Sequence, residues 1–249
     1  MNTILLVIFV CYLILFFISI KIKDNSIVDV FWWLWFLIIS ILLFIQNASF
    51  NLSQIVTLLL IFLWSVRIAG SIGMKKIKHP WEDKRYSKWR EQWKYFYTRS
   101  FFQVYLLQML LLIIVSIPLF IIFEADWWNN YVNILAFIIS IFWLSYETIA
   151  DYQVKNFVNS KNKKPNTIFT WGLWKYSRHP NYLWEILFWL WITIISLQFN
   201  LYWIIGLLTI SSLLLFVSGV PMKENYYTKK DNYEKYIKET PLFIPNYFK

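Results

Sequence analysis

The segment "KYSRHPNYLWE" at 175–185 places polar and ionisable side chains immediately before an apolar stretch of the chain. Pro180 suits the first turn of a helix, where its missing N–H is not needed, so we expect a helix to begin there. A helix N-terminus attracts anions through its N–H groups and its dipole, and Arg178 can bind a phosphate with two donors. Further donors follow from His179, Asn181 and Tyr182. The segment predicts a site for a pyrophosphate or a carboxylate, while a helix cap beside a positively charged membrane boundary is the alternative explanation of Arg178.

Five ionisable residues interrupt the long apolar stretches, and each needs a physical reason because charge at membrane depth is costly. They are Asp29, Arg67, Glu147, Asp151 and Glu185. Glu147 and Asp151 are four positions apart and therefore share one face of a helix. The pattern predicts a polar pocket between helices, open to the cytoplasm. A structural ion pair between Arg67 and one of the acids is the open alternative.

The apolar stretches themselves define the class of protein. The chain has 249 residues, 59% of them hydrophobic and 15% charged, with a mean hydropathy of +0.48. Stretches of about 20 apolar residues, long enough to cross a bilayer, recur throughout. We predict an all-α, polytopic membrane bundle that forms a single domain over 1–249. Its seven expected spans are 3–20, 28–46, 54–74, 101–123, 131–152, 181–199 and 201–218.

The basic residues predict how the bundle is oriented. All but Arg67 of the 24 Lys and Arg residues lie at 21–23, 75–99, 155–178 and 223–249, and the other loops have none. By the positive-inside rule the N-terminus lies outside and the C-terminus in the cytoplasm, in a bacterial-type inner or cell membrane. We therefore interpret the net charge of +10 as a topology signal, with membrane lipids rather than nucleic acid as partners.

Several common site types do not fit the composition. The single cysteine and two distant histidines do not make a recognisable zinc set, so no metal site is expected. Five glycines without a G-x-G-x-x-G or G-x-x-x-x-G-K pattern exclude a Rossmann or P-loop nucleotide site.

An ordered set of motifs resembles a known family. "GLWKYSRHPNYLWE" is similar to the signature of bacterial membrane proteins related to steroid 5α-reductase, and the likeness extends along most of the chain. The other matching motifs are "DVFW" (29–32), "LWSVRIAG" (63–70), "EDKRYSKWR" (82–90), "ETIADYQ" (147–153), "SGVPMKENYY" (218–227) and "YIKETPLFIP" (236–245). "RHPNY" alone is less specific, because isoprenylcysteine and phospholipid methyltransferases carry a similar "RHPxY".

The resemblance implies seven helices that hold NADPH between their cytoplasmic halves. It further implies hydride transfer to a double bond conjugated to a carbonyl, in a lipophilic substrate that enters from the bilayer. The residues it assigns to the cofactor are Glu147, Asp151, Asn156, Tyr176, Arg178, His179, Asn181, Tyr182, Glu185, Glu224 and Tyr227, to which we add Arg67 from the pattern of buried charges. Trp64 falls where steroid reductases have a catalytic tyrosine, so the candidate proton donors are Asp29 and Tyr146.

Two other functions remain open at this point. An S-adenosylmethionine-dependent lipid methyltransferase would share "RHPxY", but such enzymes usually have a glycine-rich helix after it and a later Glu-Glu pair, which this chain does not have. A non-enzymatic membrane protein, such as a transporter, would more often show internal repeats. An NADPH-dependent reductase of a conjugated C=C bond is the preferred prediction.

Overall fold

The computed structural model describes residues 2–47, 49–125, 130–160, 166–197 and 203–244, and these residues form helices without any strand. The α-helices are α1 (Asn2–Ile22), α2 (Ile27–Gln46), α3 (Leu52–Lys78), α4 (Lys84–Gln92), α5 (Phe96–Ser100), α6 (Leu107–Glu124), α7 (Asn130–Asn159), α8 (Pro180–Leu197), α9 (Ile204–Ser212), α10 (Val220–Tyr227) and α11 (Tyr233–Glu239). Two π-helical segments, Phe101–Leu106 and Leu213–Val217, and a 3₁₀ turn, Gly172–Lys175, complete them. The all-α class is confirmed.

Seven helical segments within these residues are long and apolar enough to cross a membrane, as predicted. They are Asn2–Ile22, Ile27–Gln46, Leu52–Lys78, Phe96–Glu124, Tyr131–Asn159, Pro180–Leu197 and Ile204–Tyr227. Several extend beyond the predicted ends; the third continues from 74 to Lys78 because lysine is a good helix former where the chain leaves the apolar layer. Positions 198–202, at the predicted boundary of the last two spans, lie outside the described residues.

Alternation of the spans brings the basic loops to one end of the bundle, which we call the basic end (23–26, 79–95, 166–179 and 228–244). Contacts between distant segments hold this end together: Lys76 forms an ion pair with Asp24, and Arg85 forms one with Asp29. At the opposite end, Gln54 Nε2 of α3 donates to the backbone oxygen of Phe123 at 2.9 Å.

Aromatic rings fill the centre of the bundle around Trp64 of α3, which has no exposed surface. Phe188 stacks on the Trp64 ring at 5.3 Å between centroids, and Trp189 meets its edge at 5.4 Å. Phe36 and Trp33 of α2 pack against the same ring. Edge-to-face and offset contacts of this kind add to the stabilisation from buried area. The packing fixes α2, α3 and α8 around the indole N–H of Trp64, which matters for the site.

The last span is interrupted before it reaches the basic end. After the π-helical segment the amide of Ser218 donates to Leu213 O at 2.8 Å, and α10 begins at Val220. Gly219 is required at this junction because a Cβ there would lie 2.4 Å from Leu214 O. Residues 220–227 therefore form a short helix of their own.

Candidate functional site

An ion-pair cluster lies inside the bundle near its basic end. Arg67 of α3 contacts Glu147 of α7 and, at 2.9 Å, Asp151 one turn later on the same helix. The spacing of four residues is what brings both acids to a single guanidinium. The side chain of Glu147 is 7% exposed, whereas that of Asp151 is 42% exposed. Arg67 therefore reaches from a buried carboxylate to one at the edge of the bundle.

A third carboxylate, Glu185 of α8, belongs to the same region and is buried. It accepts hydrogen bonds from Trp64 Nε1 at 3.0 Å and from Trp189 Nε1 at 3.2 Å. Arg67, Glu147 and Glu185 are also electrostatic neighbours. Glu185 is thus stabilised partly by two indole N–H groups. The positive charge of Arg67 is shared among Glu185 and the two other acids, Glu147 and Asp151. We call Arg67, Glu147, Asp151 and Glu185 the interior cluster.

A second cluster lies at the start of α8. Arg178 forms an ion pair with Glu224 of α10, and His179 Nε2 lies 2.7 Å from the other oxygen of that carboxylate. Burial lowers the pKa of His179 to about 4 despite the opposing effect of Glu224. The neutral imidazole therefore donates its Nε2–H to Glu224. We call Arg178, His179 and Glu224 the mouth cluster.

The C-terminal segment holds the mouth cluster through its backbone. The amide of Arg178 donates to Pro241 O at 2.9 Å, and that of His179 donates to Leu242 O at 3.2 Å. Ser177 Oγ also bonds Leu242 O, and Tyr236 OH bonds Trp174 O at 2.5 Å. These two amides, which precede the helix, are therefore used by the tail. The amides of the first turn of α8 itself, at Asn181 and Tyr182, precede its first backbone bond, from Leu183 N to His179 O.

Lys223 connects the two clusters and was not among the predicted site residues. Its Nζ lies over the ring of Tyr182 at 4.5 Å and near that of Trp174 at 5.5 Å. Asp151 and Glu147 are its acidic neighbours. The only signal in the sequence was its place in "PMKENYY", beside Glu224, where a lysine after a membrane span is most simply explained by the positive-inside rule.

The remaining predicted acid, Asp29, is bound elsewhere at the basic end. It accepts from Arg85 Nη2 at 2.7 Å and from Tyr86 OH at 2.6 Å, while Gln108 Nε2 lies 3.5 Å away. Burial is the main cause that raises the pKa of the Tyr86 phenol. These contacts tie α4 to the start of α2, and they favour a structural role for the carboxylate. The assignment of Asp29 as proton donor stays a prediction.

Tyr146, the other predicted proton donor, precedes Glu147 on α7 and packs edge-on against Trp184 of α8 at 4.4 Å. Trp184 also stacks on Trp143 at 4.3 Å. The Tyr146 ring thus belongs to the aromatic contact between α7 and α8, and its catalytic assignment stays a prediction.

Asn156 lies further along α7, beside an open cavity of about 470 Å³. Three aromatic rings line the cavity together with amide and hydroxyl groups: Phe157, Phe169 and Trp171, with Gln153, Asn156, Ser160 and Gly172. Gly172 has φ +63°, and a Cβ at this position would lie only 2.4 Å from Gln153 Oε1. The same oxygen accepts a hydrogen bond from Leu173 N at 3.0 Å. The cavity therefore combines planar apolar walls with polar groups.

The other predicted cofactor residues also lie at the basic end. Tyr182 stacks on His179 at 5.6 Å, and Tyr227 of α10 packs near Tyr233 at 6.0 Å. Asn181 has a buried Oδ1 without a hydrogen-bond partner in the described part of the chain. Tyr176, at the end of the 3₁₀ turn, is half-buried. The ligand roles of these residues stay predictions.

Comparison with known proteins gives a family without an assigned activity. Residues 15–240 match the family model described as "Protein of unknown function (DUF1295)". The chain belongs to this family. No curated protein and no solved structure matches it.

Proposed function

We propose that this protein is a membrane-embedded, NADPH-dependent reductase of a conjugated C=C bond in a lipophilic, steroid- or isoprenoid-like substrate, as the resemblance to steroid 5α-reductases implies. One observation carries the proposal. Motifs separated by up to about 150 residues, containing Arg67, Glu147, Arg178, Glu185 and Glu224, meet at one end of an apolar helix bundle. A purely structural bundle has little need for three carboxylates around one guanidinium at membrane depth.

The chemistry of the donors fits a dinucleotide phosphate. Arg178 offers a guanidinium and Lys223 an ammonium, both near the start of α8, where the helix dipole also favours an anion. Buried polar atoms around this point have no hydrogen-bond partner in the described residues, namely Arg178 Nε, His179 Nδ1 and Asn181 Oδ1. The donors among these groups, Arg178 together with Lys223, would hold the phosphates, whereas His179 Nδ1 and Asn181 Oδ1 are acceptors and would face hydroxyl or amide donors of the cofactor.

Residues on either side would hold the two ends of the cofactor. Glu147 and Asp151 would accept hydrogen bonds from the nicotinamide amide and the ribose hydroxyls. The aromatic walls beside Asn156 would stack on the adenine ring, because every nucleobase has a π-face on which an aromatic side chain can stack. When bound, NADPH supplies the hydride, and the protein supplies orientation and electrostatics. The surrounding apolar helices would keep water from the reacting atoms and admit substrate from the bilayer.

A ligand titration tests this proposal. Purified full-length protein in detergent is titrated with NADPH, NADH and S-adenosylmethionine, and NADPH should bind most tightly. Arg178→Ala should weaken NADPH binding by about 1.5–3 kcal/mol, the range for a lost charge-assisted hydrogen bond. Lys229→Gln, at an exposed lysine two residues beyond α10, is the matched control and should bind normally.

Activity gives an independent arm. Loss of NADPH absorbance is followed with a 4-en-3-one steroid and with an isoprenoid enone. Glu147→Leu should abolish the reduction while the protein still inserts into the membrane. Binding of S-adenosylmethionine without binding of NADPH would replace the reductase proposal by that of a methyltransferase.

A further inference from the structure

The anion-binding groups of the mouth cluster are occupied by an acid of the protein itself. Both oxygens of Glu224 are used, one by Arg178 and one by His179 Nε2. Arg178 is the side chain that fits a phosphate best, and its side chain is only 12% exposed. The carboxylate therefore stands where an anionic ligand group would bind.

The two sides of this contact differ in how firmly they are held. His179 has no exposed surface, and the backbone amides of His179 and Arg178 are fixed by the tail carbonyls. Glu224 is 23% exposed at its side chain and belongs to the eight-residue helix α10. The site is thus formed on the Arg178–His179 side, and the occupant comes from the other element.

The junction before α10 would allow the Glu224 carboxylate to move away from Arg178 and His179. The chain passes from a π-helical segment through Ser218 and Gly219 before α10 starts, so α10 does not continue the backbone ladder of the membrane span. Junctions where a few residues can absorb a change in φ and ψ are the usual hinges of small rearrangements. A shift of α10 would carry Glu224 away without moving α9.

We propose that Glu224 is an internal competitor: its carboxylate occupies the anion site at the start of α8, and a phosphate-bearing ligand binds only when Glu224 withdraws. This inference rests on the anion site of the proposed function, and it reverses the expectation that Glu224 itself binds the cofactor. When only a fraction of the protein is competent to bind, the apparent affinity is reduced by that fraction. Removal of the competing charge should therefore tighten binding.

Affinities of two probes measure this effect in full-length protein in detergent at low ionic strength. Inorganic pyrophosphate reports the anion site alone, and NADPH reports the whole proposed cofactor site. Glu224→Gln should bind both probes about 5- to 50-fold more tightly than the wild type, a range typical of coupling between competing states. Glu234→Gln, at an exposed acid on α11, is the matched control and should leave both affinities unchanged. Adding Arg178→Gln to Glu224→Gln should remove the gain.

Each outcome separates this inference from the proposed function. If NADPH binding depends on Arg178 but Glu224→Gln leaves it unchanged or weakens it, the competitor role is wrong and the reductase proposal stands. If Glu224→Gln tightens pyrophosphate binding but no form binds NADPH, the competitor role is supported and the choice of cofactor is wrong. If neither probe binds any form, both are wrong.

A second variant guards against a folding defect. Glu224→Asp keeps the charge but shortens its reach, so it should give a smaller gain in affinity than Glu224→Gln. Thermal unfolding in detergent reports whether each variant is folded. A folded Glu224→Asp protein with wild-type affinity for both probes would count against the proposal if Glu224→Gln could not be made.

Discussion

The interior cluster and the mouth cluster differ in which groups balance the charge of their carboxylates. Inside the bundle, Arg67 faces three carboxylates, and the indole N–H groups of Trp64 and Trp189 supply the remaining donors to Glu185. At the mouth, Arg178 faces one carboxylate, and the neutral His179 donates to its second oxygen. The interior cluster has a surplus of acid that helices hold in place, whereas the mouth cluster is balanced and held by loop and tail.

This difference suggests distinct tasks. A surplus of acceptors that helices hold in place suits groups that read the amide and hydroxyls of a bound ligand. A balanced pair, one partner of which belongs to a short separate helix, suits a site that exchanges its own acid for a ligand's anion. The contrast makes the interior cluster sensitive to loss of its cation and the mouth cluster sensitive to pH.

The largest expected effect is at Arg67. Arg67→Met should lower the free energy of unfolding by about 3–5 kcal/mol, because removal of one partner leaves buried carboxylates without their cation. Unfolding in detergent measures the change. Adding Glu147→Gln to Arg67→Met should restore part of the lost stability. Lys78→Gln alone, at an exposed lysine on the same helix, is the control. If the Arg67→Met protein were as stable as the wild type, the buried acids would not need a cation, and the proposed sensitivity of the interior cluster to loss of its cation would be wrong.

The mouth cluster should respond to acid through His179. Burial lowers the pKa of His179 from the ordinary 6.5 to about 4, so in that interval the unfolded chain binds a proton that the folded protein does not. The contribution of the neutral His179 to the free energy of unfolding is complete above pH 6.5, and the free energy of unfolding should fall as the pH drops towards 4. The loss reaches about 3 kcal/mol, since each pKa unit corresponds to about 1.4 kcal/mol. The charged neighbours that enter this balance are Arg178, Lys223 and Glu224.

Unfolding measured between pH 7 and pH 4 checks this prediction against a His179→Gln protein. The variant keeps a donor to Glu224 but cannot titrate, so its stability should vary less over the interval. Parallel pH profiles for the two proteins would place the acid sensitivity elsewhere in the chain.

A smaller effect is expected from the indole donors of the interior cluster. Trp64→Phe keeps an aromatic ring against Phe188 but removes the hydrogen bond to Glu185. The free energy of unfolding should fall by about 2 kcal/mol, within the range for hydrogen bonds to charged groups. Trp33→Phe, in the same aromatic contact and without a bond to the carboxylate, controls for lost ring area. Equal losses in both variants would mean that the indole bond contributes little.

The two clusters also differ in how far the sequence predicts them. Charges within apolar stretches and the spacing of Glu147 and Asp151 indicated the interior cluster, because helical periodicity and the cost of buried charge act locally. Arg67 forms ion pairs with both of these acids, and whether their role is structural or ligand-binding stays open to the variants described above. The indole bonds to Glu185 were not predicted, because indole donors leave no distinct pattern in a chain with 16 tryptophans.

At the mouth, residue types were informative but their partners were not. "RHPN" indicated the helix start, and the last span was predicted to end at 218. The chain instead continues through Gly219 into α10, which brings Glu224 to Arg178. Backbone bonds from Arg178 and His179 to Pro241 and Leu242 depend on the path of the tail, which side-chain types do not encode. Similarly, Asp29 was expected beside the other buried acids, yet its contacts are with Arg85 and Tyr86.

The smallest expected change in stability concerns Asp151, which lies at the edge of the interior cluster. Its side chain is 42% exposed and that of Glu147 is 7% exposed, although both contact Arg67. Asp151→Asn should lower the free energy of unfolding by less than about 1 kcal/mol, as for other solvent-exposed ion pairs, and Glu147→Gln should cost more. The asparagine keeps its shape and one acceptor, so partial NADPH binding should remain if Asp151 reads a ribose hydroxyl. Unfolding and NADPH titration of the two single variants separate the roles. If Asp151→Asn proved as destabilising as Glu147→Gln, the two acids would share the Arg67 guanidinium equally. The stabilisation from Arg67 would then not depend on burial, and this proposed difference between the interior cluster and the mouth cluster would be wrong.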